Sequence, residues 1–373
     1  MFHRLEKGII TGCTISVTLF ALAMNMLVKS AEPECRGPLT KLSMDLEGLE
    51  HMITWARMEF KPAKSRSLVV RKGKVTDEFR FTLRDIQIPS VREKPIKSLG
   101  KTFDATLKDA AALQETTEQL AMWLKEVDKS GLPGKFKAWI YQHGILPRLL
   151  WPLMVYDVPV TTVESYESKV SSYLRRWLGL PRSLSSTALY GRKNKLQLPF
   201  NSLAEEFKVT RARQVLLYRD SSDSKVARAG IEVRTGRKWK AHDAVAQAEA
   251  RLKHSELTGT LAHGRAGFGS NTKPIYSKTR GKERRKLIQD EVRAEVEEAR
   301  GSKIVAMGQQ GAWSRWEHAS NRRISWADLW KFEPHRIKFL IQSVYDVLPT
   351  PSNLFRWGLV DTPSVHFVRK QAH

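Results

Sequence analysis

The sequence predicts an α+β fold, with a small antiparallel sheet early in the chain and a mainly α-helical remainder. Two observations predict it. Apolar and polar residues alternate with a period of two over Phe79–Arg84, as in a half-buried strand, between the short apolar runs Ser67–Arg71 and Ile86–Ile88. From Asp104 to about Arg300, apolar residues instead recur every three or four positions, the spacing of a helix face. A third concerns the class of chain. Of 373 residues 41% are hydrophobic and 27% charged, which suits a folded chain rather than a disordered one.

The earliest segment allows two readings. Residues 8–28 carry no charge, with Arg4 and Lys7 before them and Lys29 after. By length and charge they fit a membrane span or a secretory signal, with Val28 and Ser30 as small-residue cleavage positions. Their content of Gly8, Gly12, Ser16, Asn25 and threonines fits instead a loop entering a buried helix. Leu19, Leu22, Ala23, Met26 and Leu27 would then share one inward face. A further helix is expected over Leu46–Met58, capped by Asp45, with Leu46, Leu49, Ile53 and Ala56 inward. Pro62 should end helical structure before it.

Ser67–Arg71 reads as a short buried strand. Phe79, Phe81 and Leu83 alternate with Arg80, Thr82 and Arg84 in a half-buried strand, and Ile86-Gln-Ile88 continues the extended pattern. Leu113, Leu120, Leu124 and Val127 mark a helix ending near Gly131–Gly134. Phe136–Leu146 marks a second, stopped by Pro147, and Leu149–Leu153 reads as a turn. Val163, Tyr166, Val170, Leu174 and Trp177 mark a third, flanked by Arg175 and Arg176. The polar stretch Ser221–Arg237 suggests a boundary, and the glycines between Gly259 and Arg280 suggest a flexible loop. Glu283–Arg300 reads as a charged helix with Ile288, Val292, Val296 and Ala299 on one face. Trp313, Trp316, Trp326 and Trp330 sit at helical spacings; core packing accounts for them better than base stacking.

Charge is the strongest bulk property. A formal net charge of +24 and a pI near 10.1 point to a polyanionic partner, either nucleic acid or an anionic membrane face, with nucleic acid favoured over a merely soluble basic surface. Two cysteines, Cys13 and Cys35, exclude a disulfide scaffold and a zinc ribbon. No two histidines keep a metal-binding spacing, and no phosphate-binding loop or Gly-x-Ser-x-Gly elbow occurs.

Several stretches, taken in order, resemble the reverse transcriptases of non-LTR retrotransposons. Arg4–Asn25 is similar to the glycine-containing loop and following helix of the palm, with Gly12 and Ser16 beside template and incoming nucleotide. Lys64, between a helix and a strand, matches a lysine that would stabilise charge at transferring phosphates. Pro95–Lys101 resembles the primer-grip hairpin, Lys97, Leu99 and Gly100 forming its Lys-x-Leu-Gly core. Gly131–His143 and Leu174–Ser183 resemble a vertebrate-type subfamily, in which a helical thumb follows the grip. The resemblance is strongest over 4–30 and 55–220. It implies a partial palm over 1–103, a thumb-like region over 104–220, a linker and helix over 221–281 and a basic helical region over 282–373.

The resemblance also implies what is missing. Two-metal polymerisation needs carboxylates that hold Mg²⁺ around the attacking and leaving oxygens. The family places one aspartate upstream of the Gly12 loop and an Asp-Asp pair between the palm helix and Lys64. Here only Asp45 remains, with Leu46 in the second place and Glu47 as a substitute ligand at best. The family often continues into a Cys/His knuckle, and Thr362–His373 holds no cysteine.

The expectation is therefore a truncated, internally deleted and catalytically inactive copy that needs no cofactor, where an intact member would use Mg²⁺. It would bind RNA or DNA through backbone charge, in the nucleus or cytoplasm, with a full-length retroelement protein as a complementing partner. Arg175, Arg176 and the run Arg280, Lys282, Arg284, Arg285 and Lys286 join Gly12, Ser16, Lys64, Lys97 and Gly100 as its contacts. A membrane-anchored or secreted basic protein using residues 8–28 is the alternative.

Overall fold

The computed structural model describes residues 61–83, 85–98, 101–266, 276–318 and 320–363, together with Thr54 and Glu59. The loop and helix expected over residues 8–28, with Gly12 and Ser16, lie outside the described residues, as do Asp45, Arg84 and Gly100. Of the helix expected over Leu46–Met58, Thr54 is described and is helical. The chain divides into two compact units, Met1–Lys108 and Asp109–His373.

The described residues of the first unit form hairpins. A 3₁₀ turn, Pro62–Lys64, precedes them, with proline at the position where a missing N–H costs nothing. Strands β1 (Val69–Arg71) and β2 (Lys74–Thr76) pair antiparallel, as do β3 (Phe81–Leu83) with β4 (Ile86–Ile88) and β5 (Ile96–Ser98) with β6 (Lys101–Phe103). Each pair is joined by two residues. Lys72 at φ 50° and Gly73 at φ 74° make the first connection, the left-handed pair that matches the twist of two-residue hairpins.

Two expectations are corrected here. Ile86–Ile88 does not continue the preceding strand but returns beside it, because Asp85 at φ 59° reverses the chain. Ser67–Arg71 is extended but not buried, since Leu68 and Val70 face water. Three-residue strands in separate pairs cover little apolar surface. Leu83, Ile88 and Val91 are the buried apolar side chains described here, tied to the first segment by a bridge between Ser67 and Ser90.

The second unit is helical: α1 (Ala110–Lys129), α2 (Gly134–Ile140), α3 (Leu146–Val155), α4 (Val160–Trp177), α5 (Ser186–Tyr190), α6 (Leu203–Arg219), α7 (Ser224–Arg228), α8 (Ala241–Ala266), α9 (Gly281–Ala306), α10 (Trp326–Lys331), α11 (Pro334–Val344) and α12 (Pro351–Arg356). One short parallel pair, β7 (Leu196–Gln197) with β8 (Arg322–Arg323), joins distant parts of it.

Two apolar clusters hold this unit together. In the larger, Leu120 and Leu124 of α1, Leu149 and Leu153 of α3, and Val163, Val170 and Leu174 of α4 meet Phe207 of α6 and Ile341 of α11. In the smaller, Val209, Ala212, Val215 and Leu216 of α6 meet Val245 of α8 and Ile288 and Val292 of α9. Helix α6 lies between the two and is buried on both sides. Each fully buried leucine contributes about 1.5–3 kcal/mol of apolar burial.

The prolines do not stop the helical path. Expected to end at Pro147, it runs from α2 through a π turn, Tyr141–Ile145, into α3. The N–H of Leu146 donates to the carbonyl of Tyr141, five residues back, and Pro147 falls at the start of α3, where a donor is not needed. Leu149–Leu153, expected as a turn, lies inside α3 despite Pro152, because Leu146, Leu149 and Leu153 are all buried. The loop expected from Gly259 is also shorter, since α8 continues to Ala266. On α9, Ala299 is exposed and Glu297 is buried, contrary to the expected apolar stripe. The polar stretch Ser221–Arg237 packs back on α4: Val233 is buried, and the N–H of Val160 donates to the carbonyl of Thr235 at 2.9 Å.

Candidate nucleic-acid interface

Helix α4 ends in a Schellman motif. The N–H of Leu180 donates to Arg175 at 2.8 Å and that of Gly179 to Arg176 at 3.1 Å. Gly179 takes φ 66°, the left-handed value that lets the chain turn sharply. The turn brings Arg182 round to the helix end, where the carbonyl dipoles already favour cations. A cleft of about 740 Å³ results, lined by Tyr173, Arg175, Arg176 and Arg182 among others.

The three arginines are not equivalent. Arg176 is committed to the fold: its Nη2 sits 2.7 Å from Asp128 Oδ2, and its guanidinium lies 4.4 Å from the Tyr173 ring centre. Asp128 also accepts from the indole N–H of Trp177 at 2.8 Å. Arg182 is exposed and forms no ion pair among the described residues. Arg175 is partly buried, and its Nε has no hydrogen-bond partner. Burial holds the Arg175 pKa below the ordinary arginine value, while the nearby Tyr190 works the other way. A buried donor without an acceptor costs about 1–3 kcal/mol.

The second basic locus is the start of α9. Arg280 precedes the helix without capping it by its side chain. Lys282, Arg285 and Lys286 form no ion pair among the described residues. Positive side chains here reinforce the positive end of the helix dipole. Arg284 is different. Its Nη2 donates to Glu249 at 3.0 Å and its Nε to the Tyr276 hydroxyl at 2.9 Å, with the guanidinium 5.1 Å from that ring. Glu249 also receives both Nη groups of Arg219, at 3.2 and 2.9 Å. Arg284 thus ties α9 to α8, and Glu249 carries the link on to Arg219 of α6.

The other candidates lie in the first unit. Lys64 is exposed at the end of the 3₁₀ turn. Lys97 is exposed at the centre of β5, in a hairpin where the sequence predicts one. Among the described residues no group of three or more His, Cys, Asp or Glu side chains could hold a metal ion. Asp45 and Glu47, the carboxylates the sequence offers for a metal centre, lie outside the described residues. No helix among the described residues is long and apolar enough to cross a membrane; residues 8–28 are not among them.

Sequence reasoning missed Arg182 as a partner of Arg175. The Leu-Gly-Leu-Pro-Arg run at 178–182 carried the signal, since a glycine after a helical stripe marks a turn that folds the next residues back. No protein-family model matches the sequence, and no curated protein is significantly similar to it.

Proposed function

We propose that this chain is a nucleic-acid-binding protein of the degenerate reverse-transcriptase kind, which grips RNA or DNA by its phosphates and joins no nucleotides. The cleft at the end of α4 carries the reading. Arg175 lines it and Arg182 is exposed there without an ion pair among the described residues, while Arg176 is anchored by Asp128. A net charge of +24 draws a polyanion to such a surface before any specific contact forms. The kinship with reverse transcriptases rests on the motifs around Gly12, Lys64, Lys97 and Leu174–Ser183. The absence of catalysis rests on the single Asp45 beside Leu46, where the family keeps two aspartates.

Primer extension on poly(rA)/oligo(dT), with Mg²⁺ or Mn²⁺, tests the second half of the reading. It should give no incorporation above a protein-free control. Incorporation that disappears on Asp45→Ala would overturn it.

A further inference from the structure

We propose that a row of aromatic rings beside a second cleft stacks on the unpaired bases of a single-stranded nucleic acid, an inference that rests on the nucleic-acid reading above. The row is built from two short elements. Helix α2 and its π turn supply Phe136, Trp139 and His143; α10 supplies Trp326 and Trp330. Both sets follow helical spacing, so each presents its rings on one side.

The rings form a continuous chain. Centroids lie 4.7 Å apart for Phe136 and Trp330, 6.2 Å for Trp330 and Trp139, and 5.0 Å for Trp139 and His143. His143 continues to Trp326 at 5.3 Å, and Trp326 to Phe200 at 5.5 Å. The two elements are locked together by Lys135, whose Nζ donates to the carbonyls of Trp330 and Phe332 at 2.7 and 3.0 Å. Ser325 and Asp328 close a capping box at the start of α10, fixing the helix that carries both of its tryptophans.

Core packing explains Phe200, which is buried, and Trp326, which is half-buried. It does not explain Trp139 and Trp330, which remain 41% and 40% exposed while touching each other. The row ends in a cleft of about 660 Å³ lined by His143, Phe200, Trp326, Arg192 and Arg323. Arg323 is exposed on β8 and has no ion-pair partner among the described residues. Partly exposed rings leading to a cleft that carries the unpaired Arg323 suit a strand whose bases are unpaired and whose backbone is anionic. A duplex hides its base faces and would engage only the cations.

The test uses the full chain, titrated separately with unstructured oligo(U), oligo(dT), a duplex and poly-glutamate. Anisotropy reports affinity and intrinsic tryptophan fluorescence reports ring contact. Single strands should quench the tryptophans. Trp139→Ala and Trp330→Ala should each weaken single-strand binding by about tenfold and leave duplex binding unchanged. Comparison of oligo(U) with oligo(dT) tells which sugar is preferred. Arg323→Glu, at an exposed site in a two-residue strand, should weaken single-strand binding even if an alanine variant misfolds.

Duplex binding with normal salt dependence, combined with single-strand affinity indifferent to all three substitutions, would overturn this inference and leave phosphate gripping intact. Quenching by poly-glutamate equal to that by oligonucleotide would also overturn it. Binding to neither nucleic acid would remove both readings.

Discussion

Glu205 Oε2 lies 2.6 Å from Nη1 of Arg300, with 2% of the first side chain and 11% of the second exposed. This pair, between α6 and α9, is the centre of a larger buried network. Arg300 also meets Glu297 at 3.1 Å, and Arg192 reaches Glu205 Oε1 at 2.7 Å. Glu297 in turn accepts the backbone N–H groups of Arg192 and Lys193 at 2.7 and 2.8 Å. Burial works against the charge of Arg300, but Glu205 and Glu297 more than offset it and hold its pKa above the ordinary arginine value. Charge has thus been taken inside the fold to join the loop after α5 to two long helices.

Removing one member should therefore cost more than removing a pair. Glu205→Ala leaves Arg300 and Arg192 facing each other with one fewer carboxylate and should lower stability by about 3–5 kcal/mol. Glu205→Leu combined with Arg300→Met should cost clearly less than the sum of the two single changes. Urea unfolding of the four chains in a double-mutant cycle gives the coupling directly. Additive losses would mean that the pair is not coupled.

Acid should loosen the α6–α8–α9 layer through Glu249. Burial opposes its ionisation, yet hydrogen bonds from Arg219, Tyr276 and Arg284 win and hold its pKa below the ordinary 4.5. A carboxylate depressed in the folded state stabilises above its unfolded pKa, and that contribution is lost as pH falls through the folded value. Urea midpoints should accordingly decline from about pH 5 downward. Glu249→Gln should be less stable than the parent at neutral pH and show a shallower decline. Parallel pH curves for the two proteins would contradict this role.

Two nearby glycines should respond oppositely to alanine. A Cβ on Gly134 would stand 1.6 Å from the backbone carbonyl oxygen of Trp177, where α2 crosses the end of α4. Backbone cannot swing aside as a side chain can, so Gly134→Ala should destabilise by about 1–3 kcal/mol or more. A Cβ on Gly131 would meet nothing within 4 Å. Gly131→Ala should be neutral or stabilise by about 0.4–1 kcal/mol through the unfolded chain. Thermal melts of the two variants decide it, and equal melting temperatures would show that the close approach is not tight.

The sequence revealed those parts of the fold that bury one face. The stripe from Val163 to Trp177 was plain because α4 has a single inward side, and all five of its marker residues are buried. Helix α6 carries no such stripe because both its faces are covered, and it even buries Glu205 and Arg211. Pro147 and Pro152 read as stops locally, and only the burial of Leu146, Leu149 and Leu153 shows why the helix persists around them. At the candidate interface, Arg175 and Arg176 were legible as a basic pair, but their difference in role was not. That difference depends on Asp128, forty-eight positions before Arg176. The aromatic row was half legible: Trp326 and Trp330 stood at helical spacing, while their meeting with Trp139 needed the tertiary fold.

The most direct test of phosphate gripping is the salt dependence of binding to a labelled duplex. The parent should lose affinity linearly on a log–log plot against salt concentration, as released counterions require. Arg175→Gln with Arg182→Gln should flatten that slope by roughly 1.8, about 0.9 for each phosphate no longer neutralised. A slope identical to the parent's, or binding indifferent to salt, would contradict the account.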